Sequence, residues 1–310
     1  MSSERFLVTG VLGCLGAWVA RAALEDGSDV VGYDLGDDRS RLDLVLGEDA
    51  DRVELERGDI TDLDHLERTL DDRGITRVVH LAALQVPFVR ANPPLGMRVN
   101  VAGTVNVFEA VARRLDRITG VAYASSAAVY SRTDPSPAPE AGGTSPATLY
   151  GVSKLADEGM ARIYAADAGL PSIGLRPYVV YGPGRDQGMT AGPTEAMRAA
   201  ARGEPYAIGF TGRAQYDFAP DVGRAFVTAA GAAREGATVF NVPGRPASVD
   251  DVIAAIRAVV PEAANTASGD GLPFPEELEA VAFDREVGPF PRTPLDVGVA
   301  ATIAHFQAAA

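Results

Sequence analysis

The chain has 310 residues, 42 acidic against 28 basic, and a formal charge of -14, which argues against a nucleic-acid partner because phosphate backbones are held by clustered Lys and Arg. Its one cysteine, Cys14, leaves no intrachain disulfide and favours a reducing, cytoplasmic setting. Three histidines and that cysteine are too few for a Cys/His zinc site, and no apolar run reaches the roughly 18 residues of a membrane span, so neither a metal nor a membrane partner is expected. The opening segment RFLVTG (5–10) is a short apolar run closed by glycine, a strand; GCLGAWVARAALEDG then carries apolar residues at helical spacing up to Gly27. Further strands are predicted at 29–34 (DVVGYD), 52–62, 77–83 (RVVHLAA), 120–126 (GVAYASS) and 172–177 (SIGLRP), with helices after Thr61, over about 100–115 and over about 150–169. Strands alternating with helices imply parallel pairing, hence an α/β fold with a doubly wound sheet. Beyond 177 the rhythm breaks into Gly/Pro-rich segments, a helix opened by the Ser-x-x-Asp cap of SVDDVIAAIRAVV, and a final helix; ATVFNV (237–242) reads as one strand returning to the sheet.

VTGVLGCLG places Gly10, Gly13 and Gly16 directly after the first strand. Such a turn needs freedom in φ at its first glycine, close backbone approach at the second, and helix–sheet contact at the third; its natural visitor is a phosphate at a helix N-terminus. The turn, with Leu12 and Leu15 inside it, is therefore a candidate dinucleotide site. Asp34 ends the second strand where an acid accepts hydrogen bonds from ribose hydroxyls, which favours NAD over NADP. In GDITD, Asp59 and Ile60 reach the same edge and are candidate adenine contacts.

YGVSK puts Tyr150 and Lys154 four apart on one helix face. A phenol is ordinarily a poor base at neutral pH, and a neighbouring ammonium favours the phenolate, which makes a tyrosine usable as general acid/base. Ser125 and Ser126, at the end of the fifth strand, supply a hydroxyl at the edge where ligands of such sheets bind.

With TGVLGCLG, YD, GDITD, HLAA, VNVAGTVNVFEA, SSAAVY, YGVSK, LRPYVVYGPG and RTPLDVG, the sequence resembles the extended short-chain dehydrogenases/reductases, the NAD-dependent epimerase/dehydratase family, over nearly its whole length. The resemblance implies a Rossmann doubly wound parallel sheet (1–177) that binds NAD and a smaller C-terminal substrate-binding lobe (178–310). It makes Ser126 the catalytic serine, with Ser125 as the alternative in register, Tyr150 the acid/base and Lys154 the group that binds the nicotinamide ribose. Leu81, Ala82 and Ala83 would line the cofactor and Asn100 would stand beside the site. A homodimer through a four-helix bundle, built by the helix carrying Tyr150 and the one before it, is also implied.

Departures from the family pattern narrow the substrate. Ala127-Ala128 stand where dehydratases carry Asp-Glu, so 4,6-dehydration is not expected. Val179 stands where nucleotide-sugar enzymes carry Asn, and Arg213 only loosely matches their second diphosphate ligand. A small polyhydroxylated substrate, contacted by Gln85, Tyr178, Arg185 and Arg213, is the reading these favour: a sugar or sugar-acid dehydrogenase. A UDP-sugar 4-epimerase with tightly bound NAD and a non-catalytic NAD sensor remain as alternatives.

Overall fold

The central strands are short runs rich in apolar residues, RFLVT, DVVGYD, RVVH and GVAYA. In the computed structural model, which describes residues 4–308, the chain runs β1 (Arg5–Thr9), α1 (Cys14–Glu25), β2 (Asp29–Asp34), α2 (Ser40–Leu46), β3 (Val53–Arg57), α3 (Leu63–Asp72), β4 (Arg77–His80), α4 (Val86–Ala91), α5 (Pro93–Met97), α6 (Gly103–Ala112), β5 (Gly120–Ala124), α7 (Leu149–Ala168) and β6 (Ser172–Arg176). It continues through β7 (Val179–Tyr181), α8 (Gly192–Ala201), β8 (Tyr206–Ile208), β9 (Arg213–Phe218), α9 (Ala219–Ala232), β10 (Ala237–Asn241), β11 (Arg245–Ser248), α10 (Val249–Val259), β12 (Asn265–Ala267), α11 (Phe283–Glu286) and α12 (Leu295–Ala308). Among the described residues no helix is long and apolar enough to cross a membrane.

Seven strands form one sheet in the order β10-β6-β5-β4-β1-β2-β3, every neighbouring pair parallel. This is the expected doubly wound α/β architecture. Strand order reverses at β1, which lies between β2 and β4, and a crevice opens there at the C-terminal ends of the strands. The strand expected over 52–62 stops at Arg57, because Asp59 accepts Thr61 N at 2.8 Å and Asp62 accepts His65 N at 3.0 Å to cap α3. Short acidic side chains there outcompete the ladder for backbone hydrogens.

Helices cover both faces. On one, α1, α2 and α9 bury Trp18, Leu42, Val222 and Phe226; on the other, α3, α6 and α7 bury Leu66, Phe108 and Ala161. Truncating Phe226, which is fully buried, is expected to cost about 3–5 kcal/mol. A separate core lies between α8, α10, α12 and the small sheet β11-β9-β7, around Met197, Ile256 and Ile303. Thus α9 and β10, from the second half of the chain, pack with the main sheet. Trp18 reaches from α1 to that second half as well, donating Nε1–H to Pro183 O at 2.9 Å.

Candidate active site

A cavity of about 510 Å³ runs along the C-terminal ends of β1–β6. Its floor is the glycine turn. Gly10 has φ +74°, and a Cβ there would sit 2.8 Å from Ala82 N; one on Gly16 would run into Gly10 O. Both positions are closed to other residues. Gly13 is the N-cap of α1, whose first turn carries neither an acid nor a capping side chain. The leading N–H groups of the helix are therefore left to a phosphate, and Leu12, Gly13 and Leu15 line the cavity beside them.

Asp34 ends β2 with its carboxylate seated by two backbone donors, Leu12 N at 3.0 Å and Gly36 N at 3.2 Å. It lines the cavity, as do Asp59, Ile60, Leu81, Ala82 and Ala83. These residues fit a dinucleotide: the turn would take its pyrophosphate and Asp34 a ribose. Asn100, in contrast, is fully buried and does not line the cavity. Its Oδ1 accepts Leu84 N at 2.8 Å, and its Nδ2 donates to Leu84 O and Ser153 Oγ at 3.0 and 3.2 Å. Asn100 thus fastens the loop after β4 to α7.

Cys14 also faces this turn; burial pushes its thiol up to about 12, so it stays protonated.

Ser125, Ser126, Tyr150 and Lys154 line the same cavity. The two serines differ. Ser125 Oγ donates to Glu158 Oε1, whereas Ser126 Oγ accepts Ala128 N at 3.1 Å and keeps its own hydrogen. Glu158 in turn receives Arg176 Nε and Nη2, each at 2.7 Å. This buried pair ties α7 to the end of β6 and so sets the height of Tyr150 and Lys154 against the end of β5. Lys154 Nζ lies 6.0 Å from the centroid of the Tyr150 ring and donates to Asp157 Oδ2 at 3.1 Å. Lys154 is moreover the chain's single lysine; every other cationic side chain is arginine. That count was available in the sequence as a signal of an amine placed for its own chemistry.

Gln85, Tyr178 and Arg185 line the cavity too. Each holds a buried polar atom without a partner: Gln85 Oε1, Tyr178 OH and Arg185 Nε. Gln85 and Arg185 come together over Gly188, and Tyr178 stacks edge-on against Phe274 at 5.9 Å. Thr190, Met189 and Phe274 complete this end, none of them visible in local sequence pattern. Of three cations along the cavity, Arg41 is paired with Asp186 and Lys154 with Asp157, whereas Arg185 has no carboxylate partner among the described residues and reaches only Thr190 Oγ1, at 3.2 Å. Arg213 is not at the cavity. It is the exposed first residue of β9 and pairs with Glu277, while the position directly before Asp217 is the buried Tyr216.

A family model described as NAD dependent epimerase/dehydratase family matches residues 6–242. The UDP-glucuronate 4-epimerase 6 of Arabidopsis thaliana is 34% identical over 186 residues, 57% of this chain and 40% of that protein. The chain thus spans about two fifths of the length of the curated relatives it matches. Among solved structures, a putative epimerase from Burkholderia cenocepacia J2315 is 27% identical with a TM-score of 0.83 over 99% of both chains. An L-threonine dehydrogenase from Cupriavidus necator, 24% identical with a TM-score of 0.85 over 97% of this chain and 99% of that one, shares the fold.

Proposed function

Because the chain belongs to the NAD dependent epimerase/dehydratase family, we propose that it is an oxidoreductase removing hydride from a secondary alcohol of a small sugar-type acid. NAD, held by the glycine turn and Asp34, supplies the hydride acceptor. The chain's own residues do the rest. Tyr150 takes the hydroxyl proton as the carbinol C–H bond breaks, Lys154 holds positive charge beside the phenol, and Ser126 donates its free hydrogen to the oxygen becoming a carbonyl. Residues 1–177 with β10 form the cofactor half in this reading, and residues 178–310 supply most of the substrate half.

The observation that carries the reading is the company the catalytic set keeps: Gln85, Tyr178 and Arg185, with unpartnered polar atoms, border the same cavity as Ser126 and Tyr150. Buried polar groups of this kind call for a hydrogen-bonding ligand, and the unpaired Arg185 suits a carboxylate. Val179 offers no polar group for a diphosphate and Tyr216 no positive charge, and Ala127 and Ala128 offer no acid to expel water. The test is NADH absorbance from NAD and a panel of aldonates, uronates, neutral aldoses and threonine. Turnover of the acids, lost in Tyr150→Phe, supports the reading; turnover of threonine alone moves the substrate to amino acids, and silence across the panel defeats it.

The 34% identity to a UDP-glucuronate 4-epimerase favours a second reading, a nucleotide-sugar 4-epimerase that returns the hydride to the other face. Tightly bound NAD in purified protein and interconversion of UDP-sugars would select it.

A homodimer through α6 and α7 accompanies either reading. Leu149, Val152 and Ile163 are 48%, 41% and 60% exposed and fall on one stripe of α7 at helical spacing, with Ala156 and Gly159 between them.

A further inference from the structure

We propose that Asp157 is a positioning residue of this site, the counter-ion that anchors the Lys154 ammonium beside Tyr150. The side chains of the pair are 3% and 1% exposed, one turn apart on α7, and Asp157 Oδ2 is the acceptor that Lys154 Nζ reaches, at 3.1 Å. Thr104 faces the carboxylate from α6 but spends its hydrogen on Asn100 O, which leaves Asp157 Oδ1 buried without a donor. A pair this deeply desolvated, with one oxygen unsatisfied, is a poor device for stability; apolar residues of similar volume commonly do as well. What it supplies is a fixed amine in a place that would otherwise strip its charge.

The charges nearby leave that task to Asp157. Facing the pair are Tyr150 and Glu158 on α7, Tyr123 on β5, Thr104 on α6 and His80 on β4. Glu158 is already engaged by Arg176 and Ser125, and His80 is held neutral. Burial by itself pushes the Lys154 amine down; Asp157 first, then Tyr150 and Glu158, overcome it and carry the amine above the usual lysine range. Burial likewise raises the Asp157 carboxyl to about 6, with Lys154 holding it from rising further. Without the carboxylate, burial wins and the amine loses its proton at lower pH.

Because Lys154 is the only lysine, lysine carrying ¹³C at Cε gives one side-chain resonance, and its titration needs no substrate. In wild type the signal is expected to stay that of an ammonium up to about pH 10. In Asp157→Asn its midpoint is expected about 1–3 pH units lower, and Asp157→Glu should restore most of the shift. A folded Asp157→Asn protein with the wild-type midpoint overturns the proposal, since a merely structural aspartate lowers melting temperature without moving the amine. Should that variant fail to fold, Asp157→Ser carries the same test, and a folded serine protein whose lysine midpoint matches wild type overturns the proposal. The inference rests on Lys154 serving Tyr150, yet the two fail separately. A normal titration in a protein inert toward the panel leaves the ion pair standing, and an active enzyme with an unmoved amine removes it.

Discussion

Ser125 gives its hydroxyl hydrogen to Glu158 Oε1, a carboxylate that Arg176 already grips with two nitrogens. That bond separates two adjacent serines. Ser125 is 3% exposed and committed to structure, while Ser126 Oγ accepts Ala128 N and is proposed to direct its own hydrogen at the substrate oxygen. Ser126→Ala is therefore expected to lower kcat/KM about 10²-fold with little change in melting temperature. Ser125→Ala should do the reverse: removing one donor from a buried carboxylate costs about 1–3 kcal/mol, read as a lower melting temperature, with kcat/KM of the folded enzyme nearly kept. Equal losses of activity in both would remove the distinction.

Arg185 offers the next separation. As the cavity cation without a carboxylate partner among the described residues, it is proposed to meet the acid group of the substrate. Arg185→Gln should raise KM for an aldonate or uronate about 10–100-fold while kcat falls far less, because the contact is made equally in ground and transition states. A neutral sugar should show no such change. Steady-state kinetics on one acidic and one neutral substrate decide it, and an equal effect on both denies Arg185 that role.

How much of this was legible in the sequence depends on how far each argument reaches along the chain. The glycine turn, Asp34 and the Tyr150/Lys154 pair follow from spacing within one strand–turn–helix or one helical turn, where covalent geometry fixes relative placement. Partners distant in sequence could not be read. Arg213 stands two residues from Gln215 and close to the YDF segment, but at the exposed first position of β9 it pairs with Glu277. Asn100 matched a site position, yet its amide is consumed by Leu84 and Ser153. The packing of α9 on α1 depends on Gly223, where a Cβ would lie 2.7 Å from Trp18 O. No local pattern announces that contact.

The apolar stripe of α7 predicts an oligomer. Ile163, 60% exposed, sits where a second copy of the helix would cover it in a homodimer. Ile163→Glu is expected to halve the mass seen by light scattering at micromolar concentration, since a buried unpaired carboxylate opposes association. A wild-type protein that is already monomeric ends this proposal.

His80 joins the cavity loop to the core through Thr9 and Thr104. Thr104 gives its hydrogen to Asn100 O, so at 3.0 Å it accepts His80 Nε2–H; Thr9, at 2.7 Å, then donates to Nδ1. Thr9 Oγ1 also accepts Leu81 N and Ala82 N, both at 3.2 Å, which seats the loop that lines the site. Protonating Nδ1 would set two hydrogens face to face. Burial, with the Lys154 charge adding to it, pushes the imidazole down to about 3. A histidine depressed in the fold contributes stability that is present above the ordinary value of about 6.5 and is lost as pH falls from there toward 3, by at most about 1.4 kcal/mol per pH unit. Asp157 and Asp217, whose carboxyls burial raises to about 6 and about 7, act with the opposite sign, so the total curve conceals the effect. Both carboxyls remain in His80→Gln, so the difference between the two proteins isolates the histidine. Urea unfolding at pH 7.5, 6 and 5 should show wild type losing about 1–2 kcal/mol relative to the glutamine variant on acidification; a difference independent of pH would mean that the imidazole is free to take up its proton within the fold.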